Sequence, residues 1–282
     1  MSITVIGATG HLGRHVVESL LDRGVDPAAI TATGRAVERL DDLAERGVRV
    51  QRVDLDDPAA VAGAVAGAEQ VLLVSGMDPQ RVTQHGTVID AAVAAGVRHL
   101  AYTSGPYAST SRLLLMADHA ATEELLAAAP LTTTVLRNAW YVENYTAQVE
   151  TYLAHGMVGA AGSGRVSVAP RREYAEAAAA VLLDESRQGR RYELGGPAVT
   201  LPEVAAAISA VTGQQIGYTD LPVAELQQVL AGAGLPAPLD AIFADVDRGI
   251  AEGELLVPVD DLESLLGRPA TGLEQAVKEA LA

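Results

Sequence analysis

Cysteine is absent from the 282 residues. That removes any disulfide framework, thiolate chemistry and zinc site built on thiolates. The six histidines are scattered and show no metal-ligand spacing. No stretch of eighteen apolar residues occurs, so nothing in the pattern reads as a membrane span. The chain runs directly into Ile3-Thr4-Val5-Ile6 without a basic leader, so the expected setting is cytoplasmic. Basic residues are scarce: 20 against 36 acidic ones, a net charge of −16. A broad basic face for nucleic acid is therefore not expected. Lys278 is the lone lysine. There is one tryptophan, Trp140, and one phenylalanine.

What is present is a rhythm of strands and helices. Short apolar runs fall at Ile3 to Ile6, Ala29 to Thr33, Val48 to Val53, Gln70 to Val74, Arg98 to Thr103 and Thr132 to Arg137. Helical stretches lie between them: His11 to Arg23, Ala36 to Glu45, Pro58 to Val65, Gln80 to Ala95 and Leu115 to Ala129. Nearly continuous apolar strands suit burial on both faces, and the alternation implies right-handed βαβ units. The expected class is α/β: a doubly wound, parallel, Rossmann-like sheet. Residues 1–150 read as a dinucleotide-binding domain. Residues 151–282 read as a smaller, irregular α/β lobe covering the substrate, with a boundary that interleaves if the helix from Arg172 packs back on the sheet. In that lobe short strands (Arg165 to Val168, Arg191 to Leu194, Gln215 to Thr219) mix with helices near Arg172 to Asp184, Leu201 to Val211, Val223 to Ala231 and Leu273 to Leu281.

Gly7-Ala8-Thr9-Gly10-His11-Leu12-Gly13 joins the first strand to the first helix. In that context the glycine spacing is a nucleotide loop: a tight turn at Gly7, backbone approach to a pyrophosphate at Gly10, close helix–strand packing at Gly13. Thr9, His11 and Leu12 belong to the same turn. After the second strand, where an NAD site usually has an acid, stands Arg35; a guanidinium there favours the 2′-phosphate of NADPH. Asp54, ending the third strand, is either an adenine-edge partner or a turn residue. Val74, Ser75 and Gly76, at the end of the fourth strand, should line the nicotinamide side.

The Tyr-x-x-x-Lys acid of conventional short-chain reductases cannot exist here, since position 274, four before Lys278, is glutamate. Leu136-Arg137-Asn138-Ala139-Trp140-Tyr141-Val142-Glu143-Asn144-Tyr145 resembles the LRNGWYxENY signature of type 2 NAD(P)H:quinone oxidoreductases, in the NmrA-like branch of the atypical short-chain reductases. Ala101-Tyr102-Thr103-Ser104, Gln84-His85, Leu265-Leu266-Gly267-Arg268-Pro269 and the nucleotide loop extend the resemblance over nearly the whole chain. Ala139 replaces the family's usual glycine, and His119 stands where many relatives carry lysine.

The resemblance implies a two-lobed enzyme that takes NADPH and reduces a small-molecule quinone or related acceptor; homodimerisation is compatible with it. It assigns the 2′-phosphate to Arg35. Asn138, Trp140, Tyr141 and Glu143 fall on the loop that touches nicotinamide and substrate, and Arg171 on a second-lobe position facing the cofactor. Read from residue type alone, Trp140 and Tyr141 serve equally as an aromatic wall or as core. Ser104, His119 and Tyr141 are the candidates for a weak proton donor, with His119 also readable as a solvated helix residue. The branch contains non-catalytic, NADP-sensing regulators as well, and the loss of the Tyr/Lys pair is compatible with that alternative.

Overall fold

The computed structural model describes residues 1–282. In chain order the elements are β1 (Ile3–Ile6), α1 (His11–Asp22), β2 (Ile30–Gly34), α2 (Asp41–Glu45), β3 (Arg49–Arg52), α3 (Pro58–Val65), β4 (Gln70–Leu73), α4 (Arg81–Ala94), β5 (His99–Ser104), α5 (Met116–Ala128) and β6 (Thr132–Asn138). There follow β7 (Trp140–Tyr141), α6 (Glu143–Thr146), α7 (Val149–His155), β8 (Met157–Gly159), β9 (Val166–Ala169), α8 (Arg171–Leu183), β10 (Arg191–Leu194) and β11 (Ala198–Val199). The chain ends with α9 (Leu201–Thr212), β12 (Tyr218–Asp220), α10 (Val223–Gly232), α11 (Leu239–Ala251), α12 (Asp260–Leu266) and α13 (Leu273–Ala280).

Local chemistry explains several boundaries. In α1, Leu12, Val16, Val17 and Leu20 are buried, the spacing of a single apolar face. Pro58 opens α3, whose cap is the Asp57 carboxylate accepting the Ala59 and Ala60 N–H groups. Thr200 and Glu203 form a reciprocal capping box on α9, which stops at Gly213 in the left-handed region.

The main sheet has seven strands in the order β10-β6-β5-β4-β1-β2-β3. β1 pairs in parallel with both β2 and β4, with Ile3 opposite Ile30 and Gln70. Because the chain crosses from β3 back to β4 beside β1, the strand order reverses there; that is the switch point at which such sheets open a crevice. Ile6, Val71, Leu73, Leu100 and Tyr102 fill the core on one face with Val61, Val65, Val88 and Ile89 from α3 and α4. α8 packs on α1.

The chain forms two compact units. The first comprises residues 1–105, 118–137 and 171–192; the second comprises 106–117, 138–170 and 193–282. The second unit holds a three-stranded sheet, β11-β9-β7, and a two-stranded one, β12-β8. Its core is built on Val142, Val166, Val168, Val204, Ile208 and Ile250.

Two local differences from the sequence reading have physical causes. The helix expected over Ala36 to Glu45 is a 3-10 turn, Val37–Leu40, followed by α2. Both pieces are cut to bury only Leu40 and Leu43. Helices α6, α7, α11 and α12 lie in stretches without a predicted element. In α11 the apolar face is diluted by buried Asp240 and Gly249, which blurs the helical period.

Candidate active site

The carboxyl ends of β1 to β4 surround a crevice of about 260 Å³ in the first unit. From β1 and its turn come Ile6, Gly7, Thr9 and Gly10; from β2, Thr33, Gly34 and Arg35. β3 supplies Val53, Asp54 and Leu55, and β4 supplies Val74, Ser75, Gly76, Met77 and Asp78.

The turn at its base depends on absent side chains. Gly7 has φ +88°, a left-handed conformation that other residues rarely adopt. A Cβ on Gly13 would lie 2.4 Å from the Gly7 carbonyl oxygen, so only glycine lets α1 start so close to β1. The Gly10 N–H closes the turn onto the Gly7 carbonyl at 3.1 Å. Leu12 points into the core, and His11 is exposed at the first position of α1. Neither of these side chains lines the crevice; a contribution from them is limited to the amides of a helix N-terminus, which suit an anion.

Arg35 is exposed on the crevice wall, and its guanidinium makes no ion pair or hydrogen bond. Its neighbours are occupied: Arg14 is held by Glu18 and Asp42, and Glu38 is paired with Arg52. A cation without a partner beside a glycine turn fits a phosphate. Asp54 is a turn residue on the crevice wall, accepting the Asp56 N–H at 3.2 Å. The Ser75 N–H donates to Thr103 Oγ1 at 2.9 Å, which fixes the start of the β4 loop.

Gln84 and His85 also line the crevice, a role that sequence reasoning did not assign to them. Gln84 Nε2 donates to Asp56 Oδ1 at 2.9 Å. His85 Nδ1 lies 2.9 Å from Thr122 Oγ1, and burial lowers its pKa to about 4, with the Arg81 charge adding to the effect. The available signal was two polar residues placed on the buried side of α4.

The proton-donor candidates take different positions. Ser104 is buried and donates to Glu123 Oε1 at 2.7 Å. The Glu123 carboxylate also receives Arg137 Nε at 2.8 Å and a terminal Arg137 nitrogen at 2.6 Å. Arg191 approaches it at 3.4 Å. His119 is 6% exposed, which corrects its reading as a solvated residue. Its Nδ1 is 2.8 Å from the Tyr102 hydroxyl, and burial, then Arg81 and His85, lower its pKa to about 3. It is a neutral imidazole. Neither Ser104 nor His119 is among the crevice-lining side chains.

In the second unit, Asn138 Nδ2 donates to the Tyr141 hydroxyl at 3.1 Å, while the buried Asn138 Oδ1 has no hydrogen-bond partner. A buried carbonyl oxygen left without a donor suits an amide N–H of a ligand. Trp140 and Tyr141 form β7, pairing with Val168 and Ala169 of β9. Trp140 is half-buried; it packs on the second unit's core and walls a cavity of about 300 Å³ there. Glu143 opens α6. Arg171, expected on the second lobe, opens α8 in the first unit and does not line the crevice.

Residues 1–252 match the model of the NmrA-like family. The chain is 41% identical over 278 residues to quinone oxidoreductase 2 of Escherichia coli (strain K12), covering 98% of this chain and 97% of that protein. The crystal structure of an NADPH-dependent quinone oxidoreductase of Escherichia coli complexed with NADPH superposes with a TM-score of 0.94 at 40% identity, covering 99% of this chain and 100% of the other. The triphenylmethane reductase of Citrobacter sp. complexed with NADP(H) superposes with a TM-score of 0.92 at 36% identity, again over 99% and 100%. No helix is long and apolar enough to cross a membrane.

Proposed function

This chain belongs to the NmrA-like family, and from that premise we propose that it is an NADPH-dependent oxidoreductase that passes hydride to a quinone or similar activated planar acceptor. The observation that carries the reading is the unpaired Arg35 guanidinium on the wall of the crevice that starts at the Gly7 to Gly13 turn. Likeness at 41% identity to a quinone oxidoreductase over 98% of the chain supports the acceptor class.

When bound, NADPH supplies the hydride. The residues of the chain do the holding. The glycine turn and the start of α1 take the pyrophosphate, Arg35 the 2′-phosphate, and Asp54 the adenine edge. Val74, Ser75 and Gly76 flank the nicotinamide side. In the second unit, the buried Asn138 Oδ1 is proposed as the acceptor for a ligand amide N–H. Trp140 offers a flat face to an acceptor ring, and Tyr141 is proposed as the hydrogen-bond donor to the acceptor oxygen.

A quinone becomes an aromatic hydroquinone anion on accepting hydride, so it needs no strong positioned acid. That agrees with the proton-donor candidates: the Ser104 hydrogen is given to Glu123, His119 is neutral, and neither lines the crevice. A cytoplasmic setting, homodimerisation and the lack of a nucleic-acid partner belong to the same proposal.

The test is NADPH oxidation against a panel of quinones, enones, aldehydes and unactivated ketones. Turnover of quinones and not of unactivated ketones is expected. Tight NADPH binding with no turnover of any acceptor would instead make the protein a nucleotide-sensing regulator.

A further inference from the structure

Oxidisable sulfur is scarce in this chain. Cysteine is absent, so the thioethers of four methionines are all the sulfur there is. Met116 and Met157 are each 2% exposed, closed off inside the protein. Met1 is 52% exposed at the chain end. Met77, 55% exposed, is the methionine on the wall of the nucleotide crevice. Exposure decides which thioethers a dissolved oxidant reaches, and Met77 has it.

Met77 also touches the group that holds its own loop. Arg81 Nη1 donates to the Gly76 carbonyl at 3.0 Å and lies 3.9 Å from Met77 Sδ. Arg81 Nε is taken by Asp118 at 2.8 Å, and the side chain is 7% exposed, so the guanidinium has little freedom to swing elsewhere. A thioether sulfur is a weak acceptor, and the Gly76 carbonyl keeps the stronger hydrogen bond. A sulfoxide is a polar, chiral group whose oxygen accepts strongly. Formed at this position, it competes with the Gly76 carbonyl for the same donor.

We propose that Met77 is a redox modification site: hydrogen peroxide converts its thioether to the sulfoxide, which captures Arg81 Nη1, loosens the crevice loop and weakens NADPH binding. The sulfur lone pair attacks one peroxide oxygen. The S–O bond forms as the O–O bond breaks, and the departing hydroxide takes the proton of the transferred hydroxyl and leaves as water. The sulfur loses an electron pair and the peroxide gains it. The hydroquinone made by the proposed reaction is a source of this oxidant, because it reduces dioxygen to hydrogen peroxide and returns to the quinone. The inference rests on the NADPH reading of the crevice and adds feedback to it: turnover in air weakens the enzyme's own cofactor site.

The full chain is treated with hydrogen peroxide, desalted, and titrated with NADPH by calorimetry, with no quinone present. Peptide mass mapping locates the added oxygen. Met77 should gain it, and Met116 and Met157 should not. The dissociation constant for NADPH should rise about three- to tenfold, the range for one hydrogen bond. Methionine sulfoxide reductases A and B, with dithiothreitol as the dithiol, should restore it. Met77→Leu should lose the sensitivity, its own affinity being the same before and after peroxide; Met1 is still oxidised in that variant and is thereby controlled. Arg81→Leu has no donor to be captured, so its affinity should also ignore Met77 oxidation. Untreated protein that binds no NADPH would remove the reading of the crevice and this inference together. Normal binding that is unchanged once Met77 carries oxygen would overturn this inference alone. Resistance of Met77 to peroxide, or a sensitivity that survives either variant, would overturn it as well.

Discussion

The Tyr102 hydroxyl and His119 Nδ1 share a hydrogen bond of 2.8 Å, and both side chains are buried. The imidazole is held neutral there by burial, then by Arg81 and His85. His119→Ala should therefore retain quinone turnover to within about tenfold, below the usual general-acid contribution. It should cost about 1–3 kcal/mol of stability, because Tyr102 loses its partner inside the core. Chemical unfolding and turnover measured on the same preparation separate the two effects. A hundredfold loss of kcat in folded, NADPH-saturated protein would make His119 an acid after all.

Arg35→Ala removes a cation that nothing else in the protein uses. NADPH affinity should fall by about 1.5–3 kcal/mol, the range for a hydrogen bond to a charged group, while NADH affinity stays unchanged. The dissociation constants of both cofactors, measured by calorimetry, check this. Equal weakening of the two would remove Arg35 from the 2′-phosphate.

Gly13→Ala should behave oppositely. Its Cβ would collide with the Gly7 carbonyl oxygen at 2.4 Å, a backbone atom that cannot swing away. The turn must open, and overpacking of this kind costs about 1–3 kcal/mol. NADPH and NADH should weaken together. Selective loss of NADPH alone would mean that the turn does not carry the shared pyrophosphate.

The first unit was legible in the sequence because its signals are local. Strand–helix alternation, Pro58 behind Asp57 and the glycine spacing each act over a few residues, and β1 and α3 fall where the pattern places them; β10 keeps its expected bounds but lies at the edge of the main sheet, where the sequence reading has it in the second lobe. The destinations of polar side chains were not legible. Ser104 meets Glu123, and Tyr102 meets His119, across gaps of 19 and 17 residues that no periodicity encodes. Arg171 was placed by motif, yet its helix packs on α1. Trp140 reads from sequence as either wall or core; it packs on the second unit's core and lines a cavity there.

Mild acid should destabilise the fold through its buried histidines. His99 is 1% exposed and lies between Gln70 Oε1 at 3.0 Å and Thr134 Oγ1 at 2.8 Å. Gln70 Oε1 can only accept, so Nδ1 carries the ring proton and Nε2 takes the Thr134 hydroxyl hydrogen. Burial lowers the His99 pKa from 6.5 to about 4. The unfolded chain thus binds more protons over that window, and stability present above about pH 6.5 is lost as pH falls toward 4. The contribution is about 3 kcal/mol for such a histidine. Asp247 opposes it, because its raised pKa makes the folded state bind more protons between about pH 4 and 6. Urea unfolding at neutral pH and near pH 5 should show a net loss in acid, and His99→Gln should shrink the difference. An unchanged difference would exclude His99 as a contributor.

Arg81 gives the last prediction. Its side chain is 7% exposed, Nε donates to Asp118 Oδ2 at 2.8 Å, and a terminal nitrogen donates to the Gly76 carbonyl at 3.0 Å. Gly76 belongs to the loop that lines the crevice after β4, a loop also tethered by the Ser75 N–H on Thr103 Oγ1 and by the Arg81 contact with the Met77 sulfur. Arg81 is therefore a positioning residue: it touches no ligand itself but sets where the loop's backbone stands. Arg81→Met keeps an apolar stem in the core and removes the donors. Asp118 is half-exposed and can be solvated in its place, so the strain falls on Gly76. The KM for NADPH should rise about three- to tenfold, the cost of a hydrogen bond of about 1 kcal/mol. At saturating NADPH, kcat should stay near its normal value. Arg81→Lys, which can still reach one acceptor, should recover part of the affinity. A purely structural role would lower the unfolding midpoint of both variants and leave the KM for NADPH where it was, and that outcome would sink the assignment.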